Sequence, residues 1–181
     1  SPETIKELNI ESPLKLLKEG LTHTQRVYEG VKEFTNLVKE DAELVVEEAN
    51  LTDILKEYFC STAYVDQVAI DWLPTIEVNK PLFCTAIDNM VRNGLKYNDS
   101  KFKMVAIKME DDEHLSIIDN GRGLSQKEFE RLSQPYVRKD GQAESGTGLG
   151  LSITVAILNE HGFPVTVDKL EQGTKIKVKI R

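Results

Sequence analysis

The sequence predicts a mixed domain of the α/β or α+β class, preceded by one long helix. Apolar and polar residues alternate in five short segments, as in half-buried strands, and each segment ends at a charge, Pro or Gly: 68–72, 75–78, 104–109, 164–168 and 175–180. Three other segments have the apolar spacing of helices: 51–60, 82–97 and 149–161. With 181 residues, of which 40% are hydrophobic, the chain can bury one full core and an appendage.

The first forty residues form a separate element. A series of positions recurs there at alternating spacings of three and four, which is typical of a helix that packs against another helix: Leu14, Leu17, Leu21, Thr24, Tyr28, Val31, Thr35 and Val38. Gly20 and Gly30 each cost this helix about 1 kcal/mol relative to Ala, so packing must stabilise it. We therefore expect a helix over 13–40, in a segment 1–42 that is distinct from a domain over 43–181.

The helix predicted over 82–97 carries two amides in the same phase. Asn89 and Asn93 lie four residues apart, so both side chains project from one side of the helix. Both amides could be solvated at the surface. Alternatively, their oxygens suit Mg²⁺, a hard cation that keeps several waters and takes few protein ligands.

A second motif follows an apolar strand over 115–118. The strand runs into Asp119-Asn120-Gly121 and ends at Gly123. A carboxylate at a strand end, followed by glycines that allow close approach, can accept a hydrogen bond from the amino group of a base. The pair Asn-Gly by itself also fits a hairpin turn, and this motif alone leaves both readings open.

A third motif is rich in glycine. Gly146, Gly148 and Gly150 alternate and then give way to a helix-forming segment, 151–161. Glycine lets backbone N–H groups approach an anion, and a helix N-terminus offers unpaired donors and a positive dipole end, so the combination suits a phosphate. A flexible loop that caps a helix is the alternative. No Gly-Lys-Ser/Thr follows, which excludes a Walker A loop, and the spacing of a dinucleotide site is absent.

Together and in this order, these motifs resemble the N, G1 and G2 boxes of the catalytic domain of sensor histidine kinases, within the gyrase/Hsp90/histidine kinase/MutL superfamily. Residues 132–139 resemble the F box of that family, with Tyr136 where phenylalanine is usual, and Glu160-His161-Gly162 resembles the end of the helix after G2. The resemblance covers roughly 43–181. It implies the Bergerat fold, a two-layer α/β sandwich with a mixed sheet, helices on one face, and ATP bound under a mobile lid at about 125–145.

The resemblance also implies which residues bind the base. Asp119 would accept a hydrogen bond from the adenine amino group, and Gly121 and Gly123 would let the base approach the backbone. Thr174, at the opening of the final strand, would assist through a water. Tyr97 would lie against the adenine or the ribose, although a tyrosine at the rim of the core is an equal alternative.

The phosphates and the metal would use other residues. Asn93 would coordinate Mg²⁺, with Asn89 near the same ion or the γ-phosphate. Lys96 would neutralise phosphate charge, and Arg138 on the lid would reach the γ-phosphate when the lid closes. The phosphates would lie against a nest of backbone N–H groups: Gly146, Thr147, Gly148, Leu149 and Gly150.

By this resemblance the chain is the catalytic part of a protein-histidine kinase in a two-component system, with ATP and Mg²⁺ as cofactors. Its expected partners are ATP or ADP, a second copy through the N-terminal helix of the parent protein, and the receiver domain of a response regulator. Hydrolysing members of the superfamily typically have a glutamate at the position of Asn89, and a carboxamide cannot take a proton from water. The alternative is an ATP-hydrolysing or ATP-sensing regulatory module without autokinase activity.

The N-terminal segment resembles the second helix of a dimerisation hairpin. His23 is followed by Thr24, Gln25 and Arg26, whereas the phosphoacceptor pattern of the family has an acid directly after the histidine and often a later proline. We therefore expect the phosphoacceptor outside these residues, and no self-phosphorylation by this chain. Because the chain begins with Ser1 rather than Met, we interpret it as a fragment.

Composition narrows the other possibilities. The net charge is −7 without a basic stripe, which disfavours a nucleic-acid partner. No run of 18 apolar residues is present, so we expect no membrane span in this sequence. Cys60 and Cys84 lack a C-x-x-C partner, and we interpret them as buried thiols in a reducing cytoplasm. The parent protein could still be anchored in a membrane.

Overall fold

The computed structural model describes residues 43–134 and 150–181, together with residues 14, 17–18, 20–22, 24–25, 28–29, 32 and 35. Every described residue before 43 is helical, in agreement with the predicted N-terminal helix. The apolar residues described there have exposed side chains: Leu14, Leu17, Leu21 and Tyr28. Among the described residues, no helix is both long and apolar enough to cross a membrane.

The described domain contains seven strands and four α-helices. The strands are β1 (Glu47–Asn50), β2 (Val68–Ile70), β3 (Thr75–Val78), β4 (Val105–Met109), β5 (His114–Asp119), β6 (Val165–Lys169) and β7 (Thr174–Lys179). The helices are α1 (Leu51–Phe59), α2 (Lys80–Lys96), α3 (Gln126–Leu132) and α4 (Gly150–Glu160). A 3₁₀ turn over Val65–Gln67 precedes β2.

Five strands form one mixed sheet in the order β2-β4-β5-β7-β6, and β1 pairs with β3 in a separate antiparallel ribbon. Strand β2 is parallel to β4, whereas the other neighbours in the sheet are antiparallel. The register places Asp119, the last residue of β5, opposite Val105 at the start of β4, and beside the start of β7. Asp119 and Thr174, the site residues predicted at strand ends, therefore lie at the same end of the sheet.

Helices α2 and α4 pack against each other and cover one face of this sheet. Alternate strand positions bury apolar side chains on that face: Val105, Ile107, Leu115, Ile117, Ile176 and Val178. The opposite face carries ion pairs, including Lys175–Glu110 at 2.7 Å and Lys177–Asp168 at 2.9 Å. The prediction of a two-layer sandwich, with a mixed sheet and helices on one face, is confirmed.

A histidine joins the end of α4 to the beginning of α2. Nε2 of His161 accepts a hydrogen bond from the backbone N–H of Asn79 at 3.0 Å, and Nδ1 lies 2.8 Å from the carbonyl oxygen of Ile157. The ring is therefore neutral, with its proton on Nδ1, and burial lowers the pKa of His161. The Asn79 side chain also caps α2 by accepting from the N–H of Leu82, which leaves α2 firmly tied at its start.

Three local features differ from the sequence interpretation. Strand β1 escaped detection because Glu47-Glu48-Ala49-Asn50 lacks an alternating pattern. Cys60, which we expected to be buried, is exposed, because it follows the last residue of α1 and lies off the buried side of that helix; Cys84 is buried as expected. Trp72 lies beyond the end of β2 and is 71% exposed, although the pattern placed it in the strand.

Candidate functional site

A pocket opens between α2 and the edge of the sheet where β5 ends and β7 begins. It encloses about 540 Å³ of empty volume, part of it open to solvent. The described residues that line it are mostly apolar: Met90, Asn93, Gly94, Tyr97, Asp119, Arg122, Gly123, Leu124, Leu132, Leu151, Thr174 and Ile176. Asn93, Tyr97, Asp119, Gly123 and Thr174, which the sequence indicated separately, are therefore brought together.

Two backbone hydrogen bonds orient the Asp119 carboxylate in this pocket. Its Oδ1 accepts hydrogen bonds from the backbone N–H of Gly121 at 2.8 Å and of Thr174 at 3.3 Å. Burial raises the pKa of the Asp119 carboxyl, and the hydrogen bonds from Gly121 and from the backbone and hydroxyl of Thr174 act in the opposite direction. The result is an oriented acceptor in apolar surroundings, which suits a ligand that presents an N–H donor.

Glycines close around this carboxylate on several sides. A Cβ atom at Gly94 would lie 2.9 Å from the Cβ of Asp119, and one at Gly121 would lie 2.9 Å from the carbonyl oxygen of Tyr97. Gly173, at φ +93°, turns directly over the backbone of Asp119. Close packing at Gly121 is thus with the end of α2 and the loop after it. The approach of a base to the backbone of Gly121 stays a prediction.

The residue after Asp119 organises the neighbouring loop. Oδ1 of Asn120 accepts from the amide of Asn98 at 2.8 Å and from the backbone N–H of Met104 at 3.0 Å. Its Nδ2 donates to the carbonyl of Phe102 at 2.8 Å, and its own carbonyl accepts from the Ser100 hydroxyl at 2.6 Å. Asn120 therefore binds the loop over 98–104 near both of its ends. It does not form part of a two-residue hairpin turn.

The two predicted amides of α2 differ in position. Asn93 lines the pocket, whereas Asn89 lies towards the start of α4, where its Nδ2 is 3.5 Å from the carbonyl oxygen of Gly150. Lys96 Nζ lies 5.2 Å from the centre of the Tyr97 ring, beside the pocket and not in its lining. Within the described residues, no group of three His, Cys, Asp or Glu side chains could hold a metal ion. The amide oxygen of Asn93 fits Mg²⁺, which keeps several waters and takes few protein ligands.

The acidic neighbour of Asn89 is engaged elsewhere. Asp88 is fully buried and accepts hydrogen bonds from the hydroxyls of Tyr58, at 3.2 Å, and Tyr64. Burial and the adjacent Asp88 carboxylate raise the pKa of Tyr64 above its ordinary value. Asp88 thus ties α2 to α1 and the 3₁₀ turn, and it contributes nothing to the lining of the pocket.

Several predicted residues cannot be placed. His23 and Arg138 lie outside the described residues, as do four members of the glycine-rich loop: Gly146, Thr147, Gly148 and Leu149. The fifth member, Gly150, is the first residue of α4. The roles assigned to these residues therefore stay predictions. Of the predicted lid, residues 126–132 form α3, whose capping box pairs Ser125 with Glu128 and whose Phe129 is buried.

Comparison with known proteins agrees with this geometry. A family model described as histidine kinase-, DNA gyrase B-, and HSP90-like ATPase matches residues 79–181, more than half of the chain. Nitrogen regulation protein NtrY of Azorhizobium caulinodans is 31% identical over 104 residues, which are 52% of this chain and 13% of that protein. Sporulation kinase A of Bacillus subtilis is 29% identical over 172 residues, which are 90% of this chain and 26% of that protein.

The solved structure of the mycobacterial sensor histidine kinase MprB has the same fold. It is 21% identical, with a TM-score of 0.59, over 74% of this chain and 95% of that one. The chain spans only 26% or less of the lengths of NtrY and sporulation kinase A. The resemblance inferred from the N, G1 and G2 boxes is confirmed, and the chain belongs to the family of histidine kinase-, DNA gyrase B- and HSP90-like ATPases.

Proposed function

We propose that this chain is the ATP-binding catalytic domain of a two-component sensor histidine kinase. In this role it transfers the γ-phosphoryl group of ATP to an imidazole nitrogen of a histidine outside these residues, leaving ADP and releasing the imidazole proton. The observation that carries the proposal is the oriented carboxylate of Asp119 in an apolar pocket beside Asn93. The family match supports it, as does the similarity to sporulation kinase A of Bacillus subtilis.

The pocket suits adenine in particular. Asp119 would accept from the exocyclic amino group, because its Oδ1 is held by two backbone donors and its carboxylate borders the cavity. Apolar side chains such as Met90, Leu124 and Ile176 would cover the faces of the base. Tyr97 would lie against the base or the ribose. A base that presents a carbonyl at the same position would bring two acceptors together and bind less well.

The phosphates would extend from the pocket towards the start of α4. Asn93 would hold Mg²⁺ together with phosphate oxygens, and the ion would neutralise charge on the β- and γ-phosphates. Lys96 would act on the same charge from its place beside Tyr97. The N–H groups of 146–150 and the Arg138 guanidinium would complete the phosphate contacts. Each of these roles rests on the motif match, since most of this loop lies outside the described residues.

Two neighbouring side chains favour phosphoryl transfer over hydrolysis. Asn89, at the position where hydrolysing relatives typically carry a glutamate, has an amide that cannot accept a proton from water. Asp88, the nearest carboxylate in sequence, is buried and bound by the hydroxyls of Tyr58 and Tyr64. An acceptor histidine supplies its own nucleophile, so a kinase does not need a water-activating base here.

The N-terminal helix would provide the contact between copies. Leu14, Leu17, Leu21 and Tyr28 are all exposed by half or more, and such a stripe is seldom left bare. We propose that it packs against another helix of the parent protein in a cytoplasmic dimer, and that a receiver domain then takes the phosphate from the acceptor histidine.

A labelling experiment tests the proposed function. The chain is incubated with γ-labelled ATP and Mg²⁺, with and without a polypeptide that carries the first hairpin helix of a sensor kinase. We expect acid-labile, base-stable label on the supplied polypeptide and none on this chain. Label on neither polypeptide, together with steady release of inorganic phosphate, would contradict a kinase and support an ATPase. Acid-labile label on this chain that disappears in His23→Gln would place the acceptor within it.

A further inference from the structure

Two opposite charges share the pocket. Asp119 and Arg122 are the charged side chains among its described lining residues, and only two residues separate them in the chain. In a mostly apolar cavity, a guanidinium and a carboxylate that can reach each other pair strongly, because little water competes. Such a pair would occupy the acceptor that a nucleotide base requires. There must therefore be a reason why the Arg122 guanidinium does not pair with the Asp119 carboxylate.

The reason lies in the loop after α2. Arg122 donates from Nε and from Nη2 to the two carboxylate oxygens of Asp99, the second bond at 3.0 Å, in a bidentate arrangement. This contact lowers the pKa of Asp99 below its ordinary range, chiefly through the hydrogen bond from Arg122. By contrast, the polar partners that set the pKa of Asp119 are Gly121 and Thr174. The guanidinium is thus directed towards Asp99.

Hydrogen bonds hold the residues on either side of Asp99. Its two neighbours are tied together, since the N–H of Ser100 donates to Oδ1 of Asn98 at 3.0 Å. Both neighbours are bonded to Asn120, through the Asn98 amide at 2.8 Å and the Ser100 hydroxyl at 2.6 Å. Asn120 directly follows Asp119. The same hydrogen-bond network therefore positions both the loop that carries Asp99 and the residue next to Asp119.

We propose that Asp99 is a positioning residue that holds the Arg122 guanidinium at the rim of the pocket and so keeps the Asp119 carboxylate available to the base. The proposal rests on the proposed function only in naming a base as the ligand. Asp99 and Arg122 have side chains 69% and 43% exposed, and an ion pair so exposed generally adds little stability. The ion pair matters here because it orients the Arg122 guanidinium towards Asp99.

The test compares Asp99→Ala with Arg122→Ala and with the double variant. Asp168→Ala is the matched control, because Asp168 also forms an exposed ion pair, with Lys177 at 2.9 Å, on the opposite face of the sheet. Two quantities are measured in the full chain: the affinity for ATP by calorimetry, and the pKa of the Asp119 carboxyl by NMR titration without nucleotide.

In Asp99→Ala the released guanidinium should pair with Asp119. The pKa of Asp119 then falls by about one pH unit or more, and ATP affinity falls about tenfold. The double variant should regain the Asp119 pKa of the wild type and the ATP affinity of Arg122→Ala, because the competing cation is gone. Asp168→Ala should change neither quantity.

Two results would overturn the proposal. One is an unchanged pKa of Asp119 in Asp99→Ala. The other is an affinity loss in the double variant as large as in Asp99→Ala, which would mean that Asp99 supports the loop and does not restrain Arg122. If the wild type fails to bind ATP, the proposed function fails, but the titration of Asp119 still decides whether Asp99 restrains Arg122.

Discussion

A Cβ atom at Gly173 would lie 1.8 Å from the backbone carbonyl oxygen of Asp119. The turn before β7 therefore rests directly on the end of β5, at the residue whose carboxylate enters the pocket. Gly173 also has a φ of +93°, which L-residues with side chains rarely adopt. Backbone contact, rather than side-chain packing alone, fixes the position of the acceptor.

We predict that Gly173→Ala destabilises the domain by more than about 3 kcal/mol, because it adds a backbone collision to the strain of a positive φ. Urea unfolding measures the change. Gly162→Ala is the matched control: Gly162 has a φ of +71° but no atom within 4 Å of its Cβ position. That variant should lose only the strain, about 1–2 kcal/mol. Equal losses in the two variants would show that the contact with Asp119 is unimportant.

Thr154 is buried on α4, which packs against α2, and its hydroxyl has no hydrogen-bond partner among the described residues. Thr154→Val keeps the shape and removes the unsatisfied group, so we expect a gain of about 1 kcal/mol in the free energy of unfolding. Thr85→Val is the control, because its equally buried hydroxyl donates to the carbonyl of Pro81 at 2.9 Å. That change should be neutral or destabilising. A loss of stability in Thr154→Val would show that the hydroxyl has a partner in solution.

His161 should make stability depend on pH. Its folded pKa is lowered by burial, so between that value and the unfolded pKa of about 6.5 the unfolded chain binds more protons. Stability from this group is complete above about pH 6.5 and decreases as the pH falls towards the folded pKa, by up to about 1.4 kcal/mol per pH unit. Urea unfolding from pH 8 to 5 should show this decrease in the wild type, and a weaker one in His161→Gln. Parallel curves would mean that the pKa of His161 is the same in the folded and the unfolded chain.

Asn93 is the predicted metal ligand that lines the pocket. Asn93→Ala should weaken the binding of ATP in the presence of Mg²⁺ by about tenfold and leave the binding of ADP without metal nearly unchanged. Calorimetry with each nucleotide, with Mg²⁺ and with a chelator, separates the two effects. If the variant loses the same affinity with and without metal, Asn93 contacts the nucleotide or supports the helix and does not bind the ion.

The sequence predicted the elements whose signals are local and repeated. Helix α2 has a long apolar face and an N-cap at Asn79, and β4 and β7 alternate cleanly over five and six residues. Strand β5 was predicted instead from its apolar run before Asp119. Helix α3 has a capping box at Ser125 and Glu128, a signal that could have been found, but its polar composition indicated a lid. The short strand β1 has no alternating pattern in its sequence. It is a strand because it pairs with β3, a long-range contact that the pattern does not reveal.

The sequence named the motif residues of the candidate site, but it did not predict the contacts that surround them. Asp119, Asn93 and Thr174 stand in recognisable motifs, and they do meet in one pocket. The contact of Gly94 with Asp119, by contrast, depends on how closely α2 approaches β5, a distance that no sequence pattern encodes. The ion pair between Asp99 and Arg122 joins residues 23 positions apart in two loops. It too depends on how the chain packs and not on a sequence pattern. Long-range packing, not local propensity, decides both.

The measurement that tests the central claim most directly is the base selectivity of wild-type and Asp119→Asn chains. ATP and inosine triphosphate differ in the amino group that Asp119 would bind, and calorimetry compares their affinities. We predict that the wild type prefers ATP and that Asp119→Asn weakens ATP by roughly 1–3 kcal/mol while nearly abolishing the preference, because an amide N–H would then face the amino group. Equal affinity of the wild type for the two nucleotides, or an unchanged ATP affinity in Asp119→Asn, would contradict adenine recognition by Asp119.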